Sequence, residues 1–132
     1  MPIARYIVVP LVIAIAMAGC TTTDDIQSKT PFRSKAYPIA TEPFSLCVLQ
    51  EVSAQDRGYA FRRYRQDGVV VIEAQLALAS DNPGTFVEFE LRFIPRGDGS
   101  DTSVEVRTRM TIWGTPTYPD TLWPTIDQCA RI

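Results

Sequence analysis

Glu88 and Glu90 stand two residues apart in the run Val87-Glu88-Phe89-Glu90-Leu91. Two carboxylates on one face of a strand are the simplest acid–base pair a chain can offer. Such a pair does chemistry when its surroundings separate the two pKa values, so that one acid keeps its proton and the other loses it. Here the strand pattern sets an arginine opposite each glutamate. Both are therefore expected to stay ionised on a flat, wet face, with no split in pKa. The chain contains no histidine. That removes the commonest general base and the commonest metal ligand. Ser45 and Cys47 have no base partner in the pattern. Gly97 and Gly99 flank Asp98 in a turn that no helix follows, so they do not make a phosphate loop. No catalytic residue, metal or cofactor is expected.

Binding chemistry has two candidates. Arg57, Arg62, Arg63 and Arg65, interleaved with Tyr59 and Tyr64, could hold an anion such as a lipid phosphate, lipopolysaccharide or a peptidoglycan carboxylate. The plainer reading is a set of guard charges on an edge strand. Trp113, Tyr118 and Trp123 could line one end of the domain as an aromatic rim. The plainer reading is that they cover the margin of the core. The net charge of −2 argues against a nucleic-acid partner, which would select a basic surface.

The N-terminus bears on where this chemistry happens. Arg5 is followed by an apolar run from Tyr6 to Ala18, broken only by Pro10, and then by Gly19 and Cys20. The run is short for a membrane span, which takes about 20 apolar residues, and has the layout of a signal peptide. Met17-Ala18-Gly19-Cys20 resembles the lipobox of bacterial lipoproteins. The resemblance implies cleavage before Cys20 and a diacylglyceryl group on its sulfur, which would be the membrane partner. Thr21, standing where an aspartate would favour retention in the inner membrane, implies the periplasmic face of the outer membrane. The chain as a whole is similar to small proteobacterial lipoproteins, a likeness that implies no particular activity. The plainer alternative is an ordinary secretory peptide with a chance cysteine.

With Cys20 assigned to lipid, two of the three cysteines remain, Cys47 and Cys129. Export places them in an oxidising compartment, which favours a disulfide over two buried thiols. A bond closing roughly 80 residues contributes about 4–5 kcal/mol in the chain-entropy model.

These residues need elements to position them. Residues 1–19 read as the signal peptide, 20–40 as the lipidated cysteine with a flexible linker, and 41–132 as one α+β domain. A helix is expected from Thr41 to about Gln55, with Pro43 in its first turn and Phe44, Cys47, Val48 and Val52 on one stripe. Four strands follow, punctuated by Asp67-Gly68, Asp81-Asn82-Pro83-Gly84 and Asp98-Gly99.

The turns predict the register. Asp98-Gly99 opposes Arg92 to Glu105, Glu90 to Arg107 and Glu88 to Arg109 on one face. On the other face it opposes Phe93 to Val104, Leu91 to Val106, Phe89 to Thr108 and Val87 to Met110. Asp67-Gly68 opposes Arg62 to Glu73 and Phe61 to Ala74. A four-residue connection over 81–84 opposes Glu73 to Arg92 and Ala74 to Leu91. The result is a row of alternating charge, Arg62–Glu73–Arg92–Glu105, above an apolar row. Arg63 and Arg65 then fall on the core face, either guarding the edge or marking a bulge at Gly68.

A last helix carries Pro124 in its first turn and Leu122, Ile126, Cys129 and Ala130 on its stripe. The expected fold is a four-stranded antiparallel meander with N- and C-terminal helices on one face (α-β-β-β-β-α), joined by Cys47–Cys129.

These elements suit a lipid-anchored envelope protein that binds, or supports assembly of, another envelope component such as a protein or peptidoglycan. The alternatives are a carrier or sensor of a small apolar ligand between helices and sheet, and a hydrolase of envelope polymers.

Overall fold

The computed structural model describes residues 31–55, 58–76, 87–110 and 112–131, together with Ile26. The chain runs β1 (Arg33–Tyr37), α1 (Thr41–Ala54), β2 (Tyr59–Gln66), β3 (Val69–Leu76), β4 (Val87–Arg96), β5 (Asp101–Thr108) and α2 (Leu122–Cys129). The strands form one antiparallel sheet in the order β1-β5-β4-β3-β2. Both helices pack on one face of it.

The sheet has five strands, not four. The extra strand, β1, lies within the stretch read as linker, and Ile26 in that stretch is also buried. The strand Arg33-Ser34-Lys35-Ala36-Tyr37 has no apolar alternation, because it is an edge. Two of its three helix-side residues, Arg33 and Lys35, are long cations whose charged ends find partners, and the third is the buried Tyr37. The Arg33 guanidinium sits 4.5 Å from the centre of the Trp123 ring. Lys35 Nζ donates to Asp127 Oδ1 at 2.9 Å.

The helices and hairpins follow the sequence closely. α1 starts at Thr41 behind an extended Ala40, and Glu42 in its first turn complements the positive end of the helix. Phe44, Val48 and Val52 face the sheet and are buried. Asp67 and Gly68 both have positive φ, 51° and 78°, the backbone of a two-residue turn whose twist matches its strands. β2 and β3 then pair without irregularity from Tyr59–Leu76 to Gln66–Val69. There is therefore no bulge at Gly68, and Arg63 and Arg65 do lie on the helix side. β4 and β5 pair as expected, Arg92 opposite Glu105 and Leu91 opposite Val106. Met110 departs from that ladder and bridges to Pro116 instead of opposing Val87.

The β3–β4 register is a correction. Glu73 faces Glu90, and Ala74 faces Phe89, a slip of two residues from the expected pairing of Glu73 with Arg92. An even slip keeps every side chain on its face but changes its neighbour. The ladder also shifts after Ala74: Gln75 pairs with Val87, which leaves Glu88 without a β3 partner. Its carbonyl accepts instead from Arg109 N at 2.9 Å and Thr117 Oγ1 at 2.8 Å.

The core lies between helices and sheet. Phe44 packs edge-on against Tyr37 and Phe93, with ring centres 5.0 and 5.4 Å away. Phe89 does the same with Tyr59 and Tyr118. The helices are antiparallel neighbours. Cys47 of α1 is bonded to Cys129 at the end of α2, with Cα atoms 5.8 Å apart. At the other end, the Gln55 amide donates to Thr125 Oγ1 at 2.8 Å and accepts from Thr121 Oγ1 at 3.1 Å.

Candidate functional site

The face of the sheet away from the helices holds the densest charge. One row across it reads Arg62–Glu73–Glu90–Arg107. The two carboxylates in the middle have no exposed surface. They are held very differently.

Glu73 is well partnered. It accepts from Tyr64 Oη at 2.7 Å and Gln75 Nε2 at 3.3 Å, and pairs with Arg62 at 3.3 Å. Glu90 has the Arg92 and Arg107 guanidinium groups at 3.8 and 3.6 Å, but neither of its oxygens has a hydrogen bond from a described residue. Burial pushes the Glu90 acid up to about 7 from 4.5. Arg92 and Arg107 pull it down, while Glu73 and Glu105 push it further up. The expected flat, wet face is overturned by burial of both acids, and for Glu90 by its raised pKa as well. Glu88 is the conventional partner of the pair, gripped by Arg109 Nη2 at 3.0 and 3.1 Å.

The arginine cluster is divided by the strand period. Arg62 is on the charged face, stacked 4.6 Å from the centre of the Tyr64 ring. Arg63 and Arg65 are on the helix side, where Glu42 pairs with both. Arg63 reaches it at 2.9 Å and also donates to Ser45 Oγ at 3.3 Å. Arg57, like Cys20, lies outside the described residues.

The three aromatics are likewise separated. Trp123 is buried beneath Arg33. Tyr118 is half-buried between Phe32 and Phe89, with ring centres 5.9 and 6.2 Å away. Trp113 stands out from the domain, 84 % exposed, beside Ile112 at 91 %.

Between helices and sheet, the described core side chains pack closely. The void bordered by Val52, Tyr59, Phe61, Phe89 and Leu122 measures about 10 Å³, room for a single water at most. Wider hollows occur on the surface. One of about 410 Å³ lies between the β1–α1 corner and Cys129, and one of about 320 Å³ lies beside Tyr37, Arg96 and Asp101.

Comparisons with protein-family models, curated proteins and solved structures found no match.

The opposed Glu73 and Glu90 escaped sequence reasoning because residues 77–86 carry one strong turn signal but nothing that fixes how many residues leave each strand. Their one legible trace was that they share a face with Arg62 and Arg107. Ile112 next to Trp113 was readable as an apolar pair in a loop.

Proposed function

We propose that the protein is a lipid-anchored envelope protein, held at the periplasmic face of the outer membrane through Cys20, that binds or supports assembly of another envelope component without catalysis. The close packing of the described residues between helices and sheet carries this reading, because it points recognition to the outer surface. A carrier of apolar ligands needs a chamber of some 300 Å³ or more, and the described void is about 10 Å³. The disulfide between the helices suits an exported domain this small. The buried Glu73 and Glu90 border none of the described hollows, which disfavours a hydrolase built on them.

The anchor is tested on the full chain by mass spectrometry of the mature N-terminus and by flotation with membranes. A diacylated Cys20 peptide is expected, and Cys20→Ala should leave the protein unprocessed. A free N-terminus on a protein that does not float would overturn the anchor. The binding reading is tested by crosslinking in intact cells followed by pull-down. One envelope component should recur with the wild type and diminish in a variant of the surface it uses. Repeated recovery of the protein alone would count against it.

A further inference from the structure

The molecule is polarised along its strands. Six large apolar side chains among the described residues are exposed, and five of them, Phe32, Leu76, Met110, Ile112 and Trp113, belong to one end of the sheet. The register places them there. Leu76 closes β3 opposite the first residue of β2. Met110, Ile112 and Trp113 follow the end of β5, and Phe32 N donates to Val106 O at 2.7 Å just before β1 begins. The opposite end carries Asp67, Arg96, Asp98 and Asp101 at its turns.

The tip of the apolar end is held by its base. Met110 bridges to Pro116. Thr117 N donates to Arg109 O at 3.1 Å, and Thr117 Oγ1 donates to Glu88 O at 2.8 Å. Ile112 and Trp113 thus stand above a braced base, which lowers the order to be gained on contact. From Thr108 to Pro119 the only charged residue is Arg109, so almost no charge would have to be dehydrated.

We infer that this end seats in the interfacial layer of a phospholipid bilayer, with Trp113 and Ile112 entering it. Tryptophan favours that layer, where its ring meets acyl chains and its N–H stays hydrated. The inference rests on the lipid-anchor reading for its choice of occupant. The chain enters the domain beside Phe32, which packs on Tyr118 at this same end. Cys20 is eleven residues before Pro31, a reach of no more than ~40 Å even when fully extended. The chain leaves the domain at this end, so a diacylated Cys20 would hold it nearer to the membrane than the turn end. The acyl chains hold the protein to the bilayer, and the loop then sets how the domain is oriented on it.

The two tryptophans make the test direct, because Trp113 is 84 % exposed and Trp123 6 %. The mature full chain is reconstituted with phosphatidylethanolamine–phosphatidylglycerol vesicles that carry brominated acyl chains, and tryptophan emission is recorded. A blue shift and bromine quenching are expected, both lost in Trp113→Phe. Trp113→Phe exchanges an exposed indole for a phenyl ring and should fold as the wild type does. Protein that floats with the vesicles but whose Trp113 is neither shifted nor quenched overturns the inference. A shift that grows with protein concentration and escapes bromine assigns the end to a second copy, and also overturns it. If the chain does not float, the anchor reading has failed by itself. Emission with added brominated vesicles then decides for this surface: quenching supports it, and none overturns it.

Discussion

The two faces of the sheet are built from alternate residues of the same strands, yet they solve opposite problems. On the helix side, carbon fills the middle and charge is pushed to the margins. The row Arg63–Ile72–Leu91–Val106–Arg33 is apolar at its centre and cationic at both edges. On the other side the order inverts, with two buried carboxylates in the middle of the row Arg62–Glu73–Glu90–Arg107. The centre of the helix face should be indifferent to pH, because its described residues are apolar there and its ionisable groups lie at the margins. The charged face should not be, because Glu90 is buried with ion pairs but without a hydrogen bond from a described residue.

The largest expected effect tests what holds the helix face together. Replacing Cys47 and Cys129 with alanine removes a link across 82 residues. Loss of about 2–5 kcal/mol is expected in denaturant unfolding, since the unfolded chain regains the freedom the bond denied it. A loss well below that range would mean that Gln55 and the apolar stripes dock α2 unaided.

The next effect belongs to the charged face and depends on pH. Glu90 ionises at about 7 in the fold against 4.5 ordinarily, so the folded protein binds that proton more tightly than the unfolded chain. Its contribution is fully present below pH 4.5, falls as pH rises, and is gone above about 7. Glu90→Gln should remove this slope. Relative to the variant, the wild type should lose on the order of 3 kcal/mol between pH 4.5 and 8. Denaturant midpoints of both proteins at the two ends of that range check it. A parallel pH response in the two would show that the charged face is as indifferent as the centre of the helix face.

The contrast between the faces also marks what could be read from the chain. Both helices, two of the hairpins and the Cys47–Cys129 pairing follow from short-range signals: Pro43 and Pro124 in first turns, Asp67-Gly68, and core-side spacing. The alternation of Phe89 and Leu91 with Glu88 and Glu90 told the faces apart. It could not tell which residue of β3 opposes which residue of β4, because any even slip preserves the alternation. The burial of Glu90 was hidden for the same reason, since it depends on neighbours and not on type. β1 was hidden because Arg33 and Lys35 lay their charged ends over the Trp123 and Tyr37 rings. A pattern of cations then stands where a pattern of valines would have announced a strand.

A smaller effect is expected where an edge joins the helix layer. Tyr37 Oη donates to Asp127 Oδ1 at 2.6 Å. Burial, and then the carboxylate beside it, push the Tyr37 phenol above its ordinary range, while Tyr37 and Lys35 hold Asp127 below its own. Tyr37→Phe keeps the ring in the core and deletes the hydrogen bond, so about 1–2 kcal/mol should be lost. Thermal unfolding at neutral pH measures it. Asp127 has its proton off only above its depressed pKa, so the difference between the proteins should shrink as pH falls through that value.

The smallest effect on stability falls at the other edge, and it separates two jobs that one pair of residues performs. Arg63 and Arg65 on β2 both pair with Glu42, and such partly exposed pairs contribute about 0–1 kcal/mol. Replacing both with valine should therefore hardly move the unfolding midpoint, and the better strand propensity of valine offsets part of even that. However, β2 ends the sheet, and an edge strand is a template for another strand. Taking the cations away leaves Val–Ile–Leu rows running to an unguarded edge. The Arg63→Val, Arg65→Val protein should melt within a few degrees of the wild type yet associate with rising concentration in size-exclusion chromatography. Glu42→Gln should cost the same ion pairs while leaving the cations in place, and should stay monodisperse. If both variants associate alike, the pairing with Glu42 keeps the edge quiet. If neither does, the margin of the helix face owes its solubility to something other than its arginines.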